Sequence, residues 1–232
     1  MSRPGVGPVV GVDGYAGGWV AVELNSGAFV RAWPAVSLES LLADLPSATV
    51  VGIDMPLGLL DTGWRTADRA AARLLGVRRS SVFAVPPRDV WDADDYAEAN
   101  RRCRSLTGGG GLSVQAWGLR RRVLEADAYR DSGEHQLFEV HPEVAFRALA
   151  GRPLEHGKKT WQGQMGRREL LTGAGIELPD DVGAAGAVPA DDILDAAVVG
   201  WSAYRVARGL AAHVPDPPDQ IDHRGRPIVI WF

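Results

Sequence analysis

Two aspartates close the two most apolar stretches of this 232-residue chain: Asp13 ends Pro8–Asp13 (PVVGVD) and Asp54 ends Thr49–Asp54 (TVVGID). Asp is disfavoured in strands, and a buried carboxylate costs several kcal/mol unless it is paired or hydrogen-bonded. Turn capping accounts for one such residue. Two at the carboxyl ends of neighbouring core strands are where an α/β sheet holds a ligand. Asp192 and Asp195 add acid at i, i+3 spacing, on one face of an otherwise apolar helical run. Capping by Asp191 and a first-turn role for Asp192 follow from the helix dipole, but Asp195 lies a full turn in, among residues expected to pack. Glu139-Val140-His141-Pro142-Glu143 forms a third acidic station. Strand alternation places Glu139 and His141 on one side; Pro142 and Glu143 also suit a first helical turn. Carboxylates that converge raise one another's pKa, and a hard divalent cation reverses that effect. An all-oxygen set suits Mg²⁺ or Mn²⁺, and two such ions would clamp a scissile phosphate from both sides.

The elements that must position these acids follow from the pattern. Residues 8–13, Trp19–Leu24 and Phe29–Trp33 read as an antiparallel meander, with turns at Gly14–Gly18 and Asn25-Ser26-Gly27. Ser37 caps a short helix, Leu38–Leu45, and Thr49–Asp54 is the fourth strand. Helices are expected from Thr66 to Gly76, over Ala93–Leu106 and over Val114–Tyr129. Leu137–Val140 is the fifth strand, and helices follow at Pro142–Ala150, Lys159–Leu171 and Asp191–Arg208. Pro227–Phe232 (PIVIWF) is an edge strand that needs a partner.

Composition narrows the class. The chain is 46% hydrophobic and 23% charged, the balance of a globular protein with a sizeable core. No run approaches the ~18 apolar residues of a membrane span. The N-terminus reaches Asp13 too soon for a secretory core segment. Cys103 is the only cysteine, which excludes a disulfide framework and a multi-cysteine zinc site. The expectation is a cytosolic protein with no membrane partner. Net charge is −4, but residues 65–130 carry 13 arginines, no lysine and eight acids, between acidic flanks. That split fits acids that bind metal beside a basic surface that holds phosphates, and equally fits helices that happen to be basic.

Strand–strand–strand–helix–strand, with acids on the first and fourth strands and the last helix, resembles the ribonuclease H-like fold. The chain is similar to a family of uncharacterised proteins described as predicted RNase H-like nucleases. The matching segments are GVDGYAGGWVAV (11–22), GIDMPLGL (52–59), RTADRAAAR (65–73), LGVRRSSVFAVPPR (75–88), LSVQAWGL (112–119), FEVHPEVAF (138–146) and DDILDAAVVGWSAYR (191–205). The Asp-x-x-Asp-Ala of the last helix also resembles the resolvase branch of that superfamily. The resemblance implies an α/β fold: a mixed five-stranded sheet flanked by helices, as a single domain over 1–232. It carries a helical, Arg-rich insertion at about 64–132 and a C-terminal tail at about 210–232. It implies that Asp13 bridges two divalent ions, that Asp54 is the second carboxylate, and that Asp192 and Asp195 are the helix ligands. Glu139, His141 and Glu143 match a segment expected to position metal or water. The implied activity is a metal-dependent phosphodiester hydrolase acting on nucleic acid or another phosphodiester. The alternative is a catalytically inactive binding or regulatory module on the same fold. An actin-like kinase fits poorly, because such enzymes need two copies of the fold and the chain shows one.

Four further features bear on substrate. Arg65, Arg69 and Arg73 recur at four-residue spacing as a helix stripe, with Arg65 and Arg69 expected on substrate phosphate and Asp68 orienting one of them; a solvated Asp–Arg face is the alternative. Ser113 and Gln115 follow a flexible glycine run; Ser113 is also a plain N-cap. Lys158 and Lys159 are the only lysines and open an expected helix, where the dipole disfavours cations, which marks Lys158 as a phosphate contact. The PIVIWF edge permits either a homodimer or a fold-back onto its own sheet.

Overall fold

The computed structural model describes residues 7–232. The segment weighed above for a secretory leader lies partly outside them. β-Branched residues build the central strands. β1 (Val9–Tyr15), β2 (Gly18–Asn25) and β3 (Ala28–Ala35) form the antiparallel meander. β4 (Val50–Ile53) and β5 (Gln136–Glu139) add to it in parallel, giving the order β3-β2-β1-β4-β5. The expected mixed sheet flanked by helices is therefore present. β6 (His213–Val214) and β7 (Ile230–Trp231) make a second, two-stranded sheet.

The described chain divides into two compact units. The first holds the residues up to Met55, Ser132–Ala212 and Trp231–Phe232. It contains the five-stranded sheet, α1 (Leu38–Leu42), α7 (Pro142–Ala150), α8 (Trp161–Gly173) and α9 (Ala190–Ala207). α1 starts at a capping box between Ser37 and Ser40. α9 is buried along most of its length and packs on β1, β2 and β4. Three glycines permit that approach. A Cβ on Gly11 would stand 2.1 Å from both the Ala196 carbonyl oxygen and the Gly200 nitrogen, and one on Gly52 would stand 2.9 Å from the Val199 oxygen. Backbone of α9 thus meets backbone of β1 with no side chain between them. Val20, Val22, Leu24, Phe146, Val198 and Val199 fill the surrounding core.

The second unit, Pro56–Asp131 with His213–Ile230, unites the Arg-rich insertion and most of the tail. It carries α2 (Thr66–Leu75), α3 (Arg88–Trp91), α4 (Tyr96–Thr107), α5 (Val114–Gly118) and nearly all of α6 (Arg120–Ser132). Val90, Ala99, Cys103, Leu112 and Ala116 form a small core, lined by Trp64 and Trp117. Polar contacts hold the tail. The buried Asp222 carboxylate accepts from the backbone of Arg224 and Arg226 (2.9 Å each) and from Arg226 Nε (2.7 Å), and faces Arg130 at 3.3 Å. Gln220 Oε1 accepts from Thr66 N at 2.7 Å, capping α2, whose N-cap residue Arg65 makes no side-chain cap.

Several boundaries differ from expectation. The helix expected over Val114–Tyr129 breaks at Gly118–Leu119 into α5 and α6. The one expected to open at Lys159 opens at Trp161, because Thr160 Oγ1 accepts from Gly163 N and caps it there. α9 begins at Ala190 after Pro189, so Asp191 lies inside the first turn and is not the N-cap. PIVIWF folds back on its own chain: Trp231 bridges Val140, and Phe232 exchanges backbone hydrogen bonds with Ala212.

Candidate functional site

Strand register assembles the first acids. The β1–β4 pairing ends at Val12–Ile53, whereas β1 runs on to Tyr15 against β2. Asp13 lies inside the β1–β2 ladder, opposite Val20, and its Oδ1 accepts from Gly14 N at 2.7 Å. It does not end its strand, as expected above; it stands where β1 outlasts its parallel neighbour. Asp54 N donates to Val12 O at 2.9 Å, which sets Asp54 beside Asp13. α9 then brings a third acid. Because Gly11 and Gly200 let it lie on β1, Asp195, the residue just before the Ala196 contact, is carried against the strand.

The acids act on one another. Asp13 is 5% exposed and Asp195 3%. Burial, then the charges of Asp54 and Asp195, push the Asp13 carboxyl well above the usual carboxylate range, and Lys158 opposes them. Burial raises Asp54 to about 6; His141 and Lys158 oppose it, Asp195 and Glu139 add to it. Asp195 is raised by burial against the pull of Lys158 and Arg167, and Asp192 by burial and its neighbour Asp191.

Lys158 is the cation within this group. Its Nζ donates to Asp195 Oδ2 at 2.6 Å and stands 3.9 Å from Asp191 Oδ2. Burial alone would lower its pKa; the pairing with Asp195 and the charges of Asp13 and Asp54 hold it above the usual lysine range. Sequence reasoning placed Lys158 on substrate and left Asp191 as a cap. Neither spacing nor composition relates the turn before α8 to the start of α9, so this meeting was not legible. Arg167, also missed, is 1% exposed and donates to Glu143 Oε2 at 2.6 Å.

The other expected residues divide. His141 occupies the N-cap position of α7 and acts electrostatically on Asp54. Glu143 is held by Arg167 in a buried ion pair, so its charge is already matched. Glu139 pairs in register with Ile53, one residue before Asp54, and its charge adds to the raising of Asp54. Glu139 and His141, expected on one side, thus both act on Asp54. Arg65, Arg69, Ser113 and Gln115 belong to the second unit. Arg65 is 1% exposed and pairs with Asp68 at 3.2 Å, and Asp68 also accepts from Val85 N. The expected Arg stripe is thus split, with Arg69 and Arg73 exposed and Arg65 turned inward. Ser113 Oγ accepts from Ala116 N at 3.0 Å and caps α5; Gln115 is exposed.

The donors fit a hard divalent cation by their chemistry, since buried carboxylates that raise one another's pKa are relieved by positive charge. They do not form a ready cage: among the described residues no three His, Cys, Asp or Glu side chains are disposed to hold an ion. Fold and site define an α/β protein with a buried acid cluster where its central strands end. The chain belongs to the family described as protein of unknown function (DUF429), whose model matches residues 11–220. No curated protein and no solved structure matches it. Among the described residues no helix is long and apolar enough to cross a membrane.

Proposed function

We propose that this protein is a metal-dependent phosphodiester hydrolase of the ribonuclease H-like type, acting on nucleic acid or another phosphodiester in the cytosol. The observation that carries this reading is the convergence of Asp13, Asp54 and Asp195, whose carboxyls are all raised by burial and by neighbouring acids. A structural role rewards pairing of such charges; a cluster left this acidic favours an added cation. Asp13, Asp54 and Asp195 would hold Mg²⁺ or Mn²⁺, with Asp192 at the margin. Bound there, the ions supply Lewis-acid stabilisation of the charge developing on a scissile phosphate. The residues themselves supply placement. β1 and β4 fix Asp13 and Asp54 through backbone hydrogen bonds, and α9 fixes Asp195 through glycine contacts.

One observation favours a second reading. Lys158 already pairs Asp195, so the fold can stand as a binding or regulatory module without metal. A cleavage assay decides between them. Single-stranded RNA, single- and double-stranded DNA, an RNA–DNA hybrid and a four-way junction are incubated with Mn²⁺ or Mg²⁺, with and without chelator, against Asp13→Asn. Chelator-sensitive cleavage that Asp13→Asn abolishes is expected. No cleavage of any member, together with no measurable Mn²⁺ binding, favours the module.

A further inference from the structure

The turn between α7 and α8 delivers Lys158, a cation that touches an α9 acid, and its construction separates a fixed backbone from a part-exposed side chain. The backbone on the N-terminal side of Lys158 is pinned. Arg167 Nη1 donates to His156 O at 3.2 Å, and Gly157 O accepts from both Thr160 N at 3.0 Å and Thr160 Oγ1 at 2.8 Å. A Cβ on Gly163 would stand 1.9 Å from Gly157 O, so α8 is seated directly on this turn. The Lys158 side chain is 39% exposed, whereas the side chain of Asp195, its partner, is 4% exposed. The ammonium can therefore swing to water without opening a cavity, while the carboxylate it leaves cannot.

We propose that Lys158 is a tethered cation that competes with the divalent ion for Asp195 and must leave before the ion is held. This rests on the metal-dependent reading above and adds to it a residue that sets the ion's affinity. The ammonium faces acids: Asp195 and Asp191 from α9, with Asp13 from β1 and Asp54 after β4 acting at longer range; Arg167 also acts on Asp195, and Lys159 on Asp192. A divalent ion bound to Asp195 places positive charge next to Nζ, and the two repel, so each excludes the other. In this role Lys158 is a positioning residue that keeps the cluster ordered when no ion is bound.

Mn²⁺ titration by calorimetry tests this on the wild type, Lys158→Met and Lys158→Arg, with thermal midpoints measured in chelator and in Mn²⁺. Lys158→Met is expected to bind Mn²⁺ about tenfold or more tightly than wild type, and Lys158→Arg to stay within a few-fold of it. In chelator the Met variant melts lower than wild type, and Mn²⁺ raises its midpoint by the larger amount. Equal or weaker Mn²⁺ binding by Lys158→Met overturns the competition while leaving the metal site intact. Absence of Mn²⁺ binding in all three proteins overturns both the competition and the metal-dependent reading. A Met variant that fails to fold leaves Lys158→Gln and Lys158→Arg to be compared, and equal affinity in those two counts against the proposal.

Discussion

At the scale of single residues, the cluster trades stability for charge. Asp13 and Asp54 keep their protons longer in the folded state than in the unfolded chain. The folded form therefore binds more protons above the ordinary carboxylate pKa, and stability falls as pH rises. For Asp54 the window runs from about 4, its unfolded value, to about 6 in the fold. In chelator the thermal midpoint should drop across that window, with a slope of at most about 1.4 kcal/mol per pH unit for each such carboxyl. Millimolar Mn²⁺ should flatten the drop, since a bound cation restores the ionised form. Melting curves from pH 4 to 7.5, with and without Mn²⁺, check both. By the same reasoning Asp13→Asn should melt at or above the wild-type midpoint in chelator while losing metal-dependent turnover. A midpoint several degrees lower would show that the carboxylate is structural.

At the scale of elements, the site depends on how closely α9 lies on β1. Any side chain at Gly11 collides with α9 backbone at Ala196 and Gly200. Gly11→Ala must push the helix outward or bend the strand, and overpacking of this kind costs about 1–3 kcal/mol, more where backbone is struck. Because Asp195 rides on that helix, the variant should also weaken Mn²⁺ binding although no ligand is altered. Denaturant unfolding and a metal titration of the same preparation measure the two effects, and stability close to wild type would show that the close contact is dispensable. The glycine was visible in the apolar run before Asp13, but the reason for it was not. A strand glycine signals a close approach without saying which element approaches.

At the scale of the whole molecule, the chain leaves the sheet after Met55, returns to it at Ser132, and leaves again for the tail. Insertion and tail form one unit although they are far apart in sequence. Asp222 is central to their joining. Burial alone would raise its carboxyl, but the backbone of Arg226 and Arg224 and the Arg226 guanidinium hold it below the usual range. Its contribution is present at neutral pH and is lost as pH falls through that lowered value. Asp222→Ala leaves Arg130 and Arg226 without this carboxylate. A cost of about 3–5 kcal/mol is expected, with faster amide exchange over residues 120–131 and 213–230. Unchanged exchange in the tail would mean that the apolar contacts of Ile228 and Val229 suffice.

The order of strands and helices was legible because β-branched runs, caps and glycine breaks are local properties. Asp13, Asp54 and Asp195 stood out because acids are rare in apolar segments. Local pattern could not decide which charges meet. Lys158 and Asp195 lie 37 residues apart and are brought together by the turn before α8. Glu139 was marked by its type, and only strand pairing sets it opposite Ile53, where its charge acts on Asp54. Arg65 belonged to an evenly spaced stripe and was drawn inward by Asp68. Residue type and spacing determined which side chains are able to hold charge at the ends of the central strands. Tertiary structure alone decided which of those charges are already paired, because pairing depends on distances that the chain sets only when α9 closes on the sheet.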